Sequence, residues 1–202
     1  MNYLAKMTSH LFNPAMIALG AFIYLGWRAG DWLAGGIGIV IYALVPGAIW
    51  TYLYNSGIIT ELYPAERNQR QSLLLLGGGC YALGCIVLWM VDATPLALGA
   101  GLAFCGNTLL VWQINKYWKI SIHAVGVSGA WVIFLLSEGL DMWPLGFALL
   151  LVAWARLHLG VHTPTQVVAG SGLGGGISAL LVCPFAQVEC WYIEVILSLY
   201  NI

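Results

Sequence analysis

Residues 71–91, QSLLLLGGGCYALGCIVLWMV, carry no charged side chain. The run reaches the roughly 20 residues that an α-helix needs to cross the hydrocarbon core of a bilayer. It shows no alternation of apolar and polar residues, and backbone groups in lipid must be hydrogen-bonded within their own segment, as a helix allows. The run therefore predicts a transmembrane helix.

Six further uncharged runs accompany this one. The 202 residues are 61% hydrophobic and only 7% charged, whereas a soluble domain carries about 25% charged residues. We therefore expect an all-α integral membrane protein, a bundle of about six to seven transmembrane helices with the functional site at one membrane face. The number of transmembrane helices is six if the short run 142–155 does not cross the membrane. The further runs are 7–27, 32–60, 93–115, 120–137, 142–155 and 158–188.

The basic residues are distributed unevenly between the two faces. With seven crossings, six of the seven Lys and Arg residues fall on one face, which the positive-inside tendency makes cytoplasmic. We expect one multi-pass domain over residues 1–202 in a prokaryotic cell membrane, with the first span retained rather than cleaved as a signal peptide. On the opposite face, Cys183 and Cys190 are candidates for a disulfide bond.

Three loops of the basic face carry the candidate functional side chains. Arginine and lysine suit a tetrahedral phosphate, and ionisable groups at the bilayer edge are costly enough to indicate function. Charged residues are absent from the middle of every run, which argues against a transporter or channel. His10 and His158 are interpreted as interfacial residues outside the site. The candidates are, loop by loop, Arg67 and Arg70, then Lys119, Ser121 and His123, then Arg156 and His162.

The segment around His162 also predicts the start of a helix. Thr163 is a candidate N-cap, and Pro164 stands at the first helical position. His162 would then lie at a helix N-terminus, whose free N–H groups and positive dipole end favour a bound anion. Gln166, four residues further on, lies on the same helical face and could hold the imidazole in one tautomer.

Three segments resemble motifs of the type 2 phosphatidic acid phosphatase superfamily, lipid phosphatases related to vanadium haloperoxidases. The family's motifs are a basic residue before Arg-Pro, then Pro-Ser-Gly-His, then Ser-Arg, five residues, His, three residues and Asp. The third spacing is kept here, with Gln166 in the position of the acid. A glutamine there is similar to the third motif of dolichyl diphosphatases, a branch that acts on polyprenyl diphosphates. The counterparts are residues 66–71 (ERNQRQ), 120–124 (ISIHA) and 155–166 (ARLHLGVHTPTQ).

The resemblance implies a mechanism and assigns roles to the candidates. His162 would attack phosphorus to form a phosphohistidine, and His123 would protonate the leaving group and then activate water. Gln166 would orient His162. The cations would neutralise charge on the phosphoryl oxygens. The implied phosphate-binding residues are Arg67, Arg70, Lys119, Ser121 and Arg156, with Arg70 favoured over Arg67 as the match to the family's arginine.

The resemblance also indicates which ligands and partners to expect. It implies no cofactor, no metal ion and a lipid phosphate as substrate, with a polyprenyl or isoprenoid (di)phosphate preferred because of the glutamine. We expect contacts with membrane lipids and none with nucleic acid, while a homo-oligomer or a place in a membrane complex remains open. The alternative is a catalytically silent, phosphatase-like subunit of such a complex. Within the single domain, the resemblance implies a phosphatase-like core over about residues 56–182, preceded by one or more N-terminal helices in 7–55 and followed by a C-terminal tail, 183–202.

Overall fold

The fold is built entirely from helices in the part of the chain that the structure, a computed structural model, describes. That part is residues 1–59 and 67–186, with only the backbone of Arg67. It contains nine α-helices and no strand. The helices are α1 (Asn2–Leu11), α2 (Pro14–Ala29), α3 (Trp32–Gly38), α4 (Val45–Asn55), α5 (Arg67–Met90), α6 (Pro95–Asn115), α7 (Ile122–Glu138), α8 (Phe147–His158) and α9 (Pro164–Val182). A π-helix, Ile39–Leu44, joins α3 to α4, and a 3₁₀-helix, Leu140–Gly146, precedes α8.

These helices confirm the prediction of an all-α, multi-pass integral membrane protein. Each predicted run falls on one helix or on consecutive helices over the residues described. Five of the described helical segments are long and apolar enough to cross a membrane, and α1 with α2 makes a sixth candidate. The remaining run lies on α7, which has 17 residues and is slightly shorter than a typical crossing. The five segments are Trp32–Asn55, Asn68–Met90, Pro95–Asn115, Leu140–His158 and Pro164–Val182.

The first predicted span, 7–27, is bent rather than straight. Its two helices, α1 and α2, meet at an angle of 47°. Asn13 caps α2, because its side-chain oxygen accepts a hydrogen bond from the Met16 N–H at 3.0 Å, and Pro14 occupies the first helical position. Proline has no N–H to continue a preceding helix, so a new helix begins there. As a result α1 turns away from the axis of α2 and packs against α8.

Aromatic side chains fill the middle of the bundle. Tyr42, from the π-helix, is fully buried, and its ring centroid lies 4.8 Å from that of Phe22 and 4.9 Å from that of Tyr81. Its hydroxyl donates to the Tyr81 carbonyl oxygen at 3.1 Å. Gly84 and Gly101 make room for the ring, because a Cβ at either position would collide with it. This core joins α2, α5 and α6.

Small residues set the approach of α9 to α7. A Cβ at Gly170 would lie 2.7 Å from the Ser121 carbonyl oxygen, and one at Gly174 would collide with the Val125 carbonyl oxygen. Contacts this close require residues without side chains. The starts of α7 and α9 are consequently held side by side.

Polar contacts also join the loops at the opposite end of the bundle. Arg28 Nε donates to Glu138 Oε1 at 2.6 Å. Asp31 caps α3 through the Ala34 N–H and accepts a second hydrogen bond from the Thr94 N–H at 3.1 Å. These residues share the end of the bundle away from the basic loops.

Candidate active site

His162 lies directly before α9, and its position follows from the way in which that helix begins. Thr163 is the N-cap, because its hydroxyl accepts a hydrogen bond from the Gln166 N–H at 3.4 Å, and Pro164 takes the first helical position. The side chain of Gln166 reaches back, and its Oε1 accepts from the Thr163 N–H at 3.2 Å. The two bonds form a capping box, so the predicted helix start is confirmed.

The same oxygen of Gln166 also holds the imidazole of His162. His162 Nδ1 lies 3.0 Å from Gln166 Oε1. Because the Thr163 N–H can only donate, the atom that it meets must be the amide oxygen, and the ring nitrogen that meets this oxygen must carry a proton. In the neutral ring the lone pair is then on Nε2. An imidazole held in this way has a defined nucleophilic nitrogen.

The start of α7 lies against the start of α9. Ser121 is fully buried and caps α7, where its hydroxyl accepts from the Ala124 N–H at 3.5 Å. The Ser121 N–H donates to the Gln166 carbonyl oxygen at 3.3 Å. Two helix N-termini therefore meet at one place, and both present N–H groups that favour an anion. His123, in the first turn of α7, is also buried.

Three cations lie around these helix starts. Arg70 is in the first turn of α5 and Arg156 in the last turn of α8, and both side chains are buried. Lys119 is in the loop before α7, where burial, together with the charges of the two arginines, holds its pKa below its usual range. Cations this close raise one another's free energy unless an anion lies among them. The cluster therefore favours an anionic ligand such as a phosphate.

These surroundings favour the neutral form of His162. Burial is the largest cause, and the nearby cations add to it, so that the pKa of His162 falls from its ordinary 6.5 to about 4. The bond to Gln166 acts in the opposite direction and only partly offsets the shift. At neutral pH the imidazole is consequently unprotonated at Nε2, which is the state in which it can attack phosphorus.

Seven of the eight predicted site residues share this face of the bundle. The eighth is Arg67, whose side chain lies outside the described residues, as does Cys190 of the predicted disulfide. His158, predicted to be interfacial, is outside the cation cluster: its ring stacks on Trp154 with centroids 5.5 Å apart, and it bonds Asn2 at the surface. Among the described residues, no group of three or more His, Cys, Asp or Glu side chains is arranged to hold a metal ion.

Two residues that the sequence did not identify complete the surroundings of the site. Ser9, in α1, contacts His123 through its carbonyl oxygen and Arg156 through its hydroxyl. Gln71 follows Arg70 and forms hydrogen bonds with two groups of α6, which ties α5 to its neighbour. The Asn-Pro pair between α1 and α2 signals a helix break, but no feature of the sequence points to the contacts of Ser9.

Comparison with known proteins gives a partial match. An undecaprenyl-diphosphatase of Sulfolobus acidocaldarius is 44% identical to this chain over 75 residues, which make up 37% of this chain and 36% of that protein. The similarity thus spans about a third of the relative's length. No family model matches the chain, and no solved structure matches it.

Proposed function

We propose that the protein is a membrane-embedded phosphatase that releases the terminal phosphate of a polyprenyl or other isoprenoid diphosphate through a phosphohistidine on His162. The observation that carries this proposal is the pair of hydrogen bonds to Gln166 Oε1, which directs the proton of His162 to Nδ1 beside a cluster of cations. The partial similarity to an undecaprenyl-diphosphatase supports the substrate class. The excess of basic residues supports a site on the cytoplasmic face.

Substrate binding rests on the cations and the two helix starts. The guanidinium groups of Arg70 and Arg156 and the ammonium of Lys119 neutralise the oxygens of the terminal phosphate. Arg67 is a further candidate for this role. The N–H groups at the starts of α7 and α9, the first of them capped by Ser121, add partial positive charge. The prenyl chain stays in the lipid, so the diphosphate meets the site at the membrane face.

In the first step, the lone pair of His162 Nε2 attacks the terminal phosphorus. An N–P bond forms, the bond from phosphorus to the bridging oxygen breaks, and its electron pair leaves with the prenyl monophosphate. The imidazole gains positive charge as it is phosphorylated, and Gln166 Oε1 accepts a stronger hydrogen bond from Nδ1–H than it does in the resting ring. This interaction is therefore stronger in the transition state than in the ground state.

In the second step, water attacks the phosphohistidine. His123 takes a proton from the water, whose oxygen forms a bond to phosphorus as the N–P bond breaks and its electron pair returns to His162 Nε2. Inorganic phosphate leaves, and His123 then passes its proton to the phosphate or to bulk water, so that both imidazoles are neutral again. The carbonyl oxygen of Ser9 can only accept, so His123 Nε2, 3.1 Å away, carries a proton and the neutral ring has its lone pair on Nδ1. In this tautomer the base of the second step is His123 Nδ1.

This arrangement favours a diphosphate over a monophosphate ester. A prenyl phosphate is a weakly basic leaving group that departs with little help from an acid, whereas an alkoxide must be protonated as it leaves. A neutral His123, which accepts a proton at Nδ1 and does not donate one, therefore suits a prenyl phosphate leaving group. The expected order of turnover is therefore prenyl diphosphate, then prenyl monophosphate.

The test is phosphate release by the purified protein in lipid nanodiscs from a prenyl diphosphate, the matching monophosphate and phosphatidate. His162→Ala and His123→Ala are compared with His158→Ala, a control that removes an imidazole outside the cation cluster. We expect release from the diphosphate by the wild type and the control, and none by His162→Ala. Substrate labelled in its terminal phosphate should leave an alkali-stable, acid-labile label on the protein that accumulates in His123→Ala.

Two outcomes would count against this function. If no substrate is turned over, the protein is better described as a catalytically silent subunit, a role that the neutral Gln166 in place of an acid would suit. If His162→Ala releases phosphate as fast as the control, hydrolysis occurs but not through His162.

A further inference from the structure

The N-terminal helix α1 has one face turned into the protein. Ala5 and Ser9 are four residues apart on one helical face, and both are buried. Leu4, Met7 and Leu11 lie elsewhere on the helix and are each more than half exposed. The helix leaves α2 at an angle of 47° and packs against α8, which carries Arg156. Its buried face is thereby brought to the site rather than to the aromatic core.

Ser9 contacts two site residues that come from different helices. Its carbonyl oxygen lies 3.1 Å from His123 Nε2, and its hydroxyl accepts a hydrogen bond from Arg156 Nη1 at 3.2 Å. Ser9 itself is only 5% exposed. Hydrogen bonds in such a position are protected from competition with bulk water, and the bond from a guanidinium is of the stronger, charge-assisted kind.

We propose that Ser9 is a positioning residue of the site: its hydroxyl orients Arg156 toward the phosphate, and its carbonyl oxygen fixes the tautomer of His123. The proposal rests on the proposed function for its kinetic consequence. The carbonyl requires a proton on His123 Nε2, while Gln166 requires a proton on Nδ1 of His162. The two histidines are therefore held in opposite tautomers, one with its lone pair on Nδ1 and the other with its lone pair on Nε2.

The two halves of the proposal have separate readouts. Ser9→Ala removes the hydroxyl and keeps the carbonyl, so it should loosen Arg156 and leave the His123 tautomer as it is. Ser9→Thr keeps a hydroxyl and should bind phosphate as the wild type does. Thr8→Ala, which removes the neighbouring hydroxyl of the same helix, is the matched control.

The kinetic measurement is the steady-state turnover of a prenyl diphosphate in nanodiscs. For Ser9→Ala we expect KM to rise about tenfold, the equivalent of one charge-assisted hydrogen bond, with kcat within about twofold of the wild type. Binding of inorganic phosphate should weaken by a similar factor, whereas Ser9→Thr and Thr8→Ala should bind phosphate as the wild type does. A Ser9→Ala protein that binds phosphate as tightly as Thr8→Ala overturns the role of the hydroxyl.

The tautomers are read by ¹⁵N spectra of histidine-labelled protein, with each ring assigned by its loss in the corresponding alanine variant. We expect the Nε2–H form for His123 and the Nδ1–H form for His162. An Nδ1–H form of His123 overturns the role of the Ser9 carbonyl. Phosphate binding and the spectra need no turnover, so they test Ser9 even if the proposed hydrolysis fails, and that failure would be seen separately in the wild type.

Discussion

Replacing Gln166 by methionine tests the central contact of the site. Methionine keeps the length of the side chain but removes the oxygen that lies 3.0 Å from His162 Nδ1 and 3.2 Å from the Thr163 nitrogen. The bond to the resting imidazole is neutral and worth about 1 kcal/mol, whereas the bond to the phosphorylated, cationic ring is worth about 2 kcal/mol or more. The difference of about 1 kcal/mol or more corresponds to a loss of kcat of about fivefold or more.

The assay is single-turnover phosphorylation of the protein and steady-state phosphate release, with thermal unfolding measured on the same preparations. Gln166→Glu is the matched control, because glutamate also completes a capping box and accepts from the imidazole with a full charge. We expect kcat of Gln166→Glu to equal or exceed that of the wild type, and Gln166→Met to lose about 1 kcal/mol of stability with the cap. A Gln166→Met protein with wild-type kcat would refute the reasoning, because the only role left to Gln166 would be in the capping box of α9.

Three further changes test the charge, the pH response and the packing of the site. Carbethoxylation requires neutral imidazole, so its rate at His162 should fall to half its maximum near pH 4, because burial and the nearby cations lower the pKa of His162 to about 4. The rate is followed by mass spectrometry of the labelled peptide, and a midpoint near the ordinary 6.5 would contradict the lowered pKa. Arg156→Lys should reduce kcat/KM roughly tenfold or more in the phosphate-release assay, since lysine lacks the planar fork of donors; a change under twofold would exclude a forked contact. Gly174→Ala should lower stability by about 1–3 kcal/mol in thermal unfolding, because its Cβ would collide with α7, whereas Gly172→Ala meets open space; equal stability of the two variants would contradict the packing.

The fold was predictable to the extent that lipid restricts it. Charge-free runs marked the helices because every backbone group in a membrane must be bonded within its own segment, and the loops between them carried the charges. The bend at Asn13 and Pro14 was not predicted, although both residues are local signals of a new helix. The prediction for this span was based on the length of the uncharged run, which does not show where a helix bends.

The site was predictable where it depends on local geometry. Thr163, Pro164 and Gln166 specify a helix start by their spacing, so the position of His162 followed from a few residues. The contacts of Ser9 could not be predicted in this way, because they cross more than a hundred positions of the chain. They depend on the bend that turns α1 toward α8, a property of the packed bundle rather than of any short segment.

Gln166 stands where the superfamily motif that this segment resembles has an acid, and it separates two roles that a carboxylate would combine. An aspartate or glutamate would orient the ring of His162 and also stabilise its cation, whereas the amide oxygen supplies orientation and a dipole without the full charge. Orientation is supported here because the Thr163 N–H fixes which amide atom faces the ring. Burial and the nearby cations hold the pKa of His162 low, at about 4, and the neutral amide does not offset this, so the proposed nucleophile stays unprotonated. A carboxylate at this position would also compete with the phosphate for the same cations. A glutamine at this position is therefore consistent with an active nucleophile, and the loss relative to an acid should appear in the stability of the phosphohistidine rather than in the binding of the substrate.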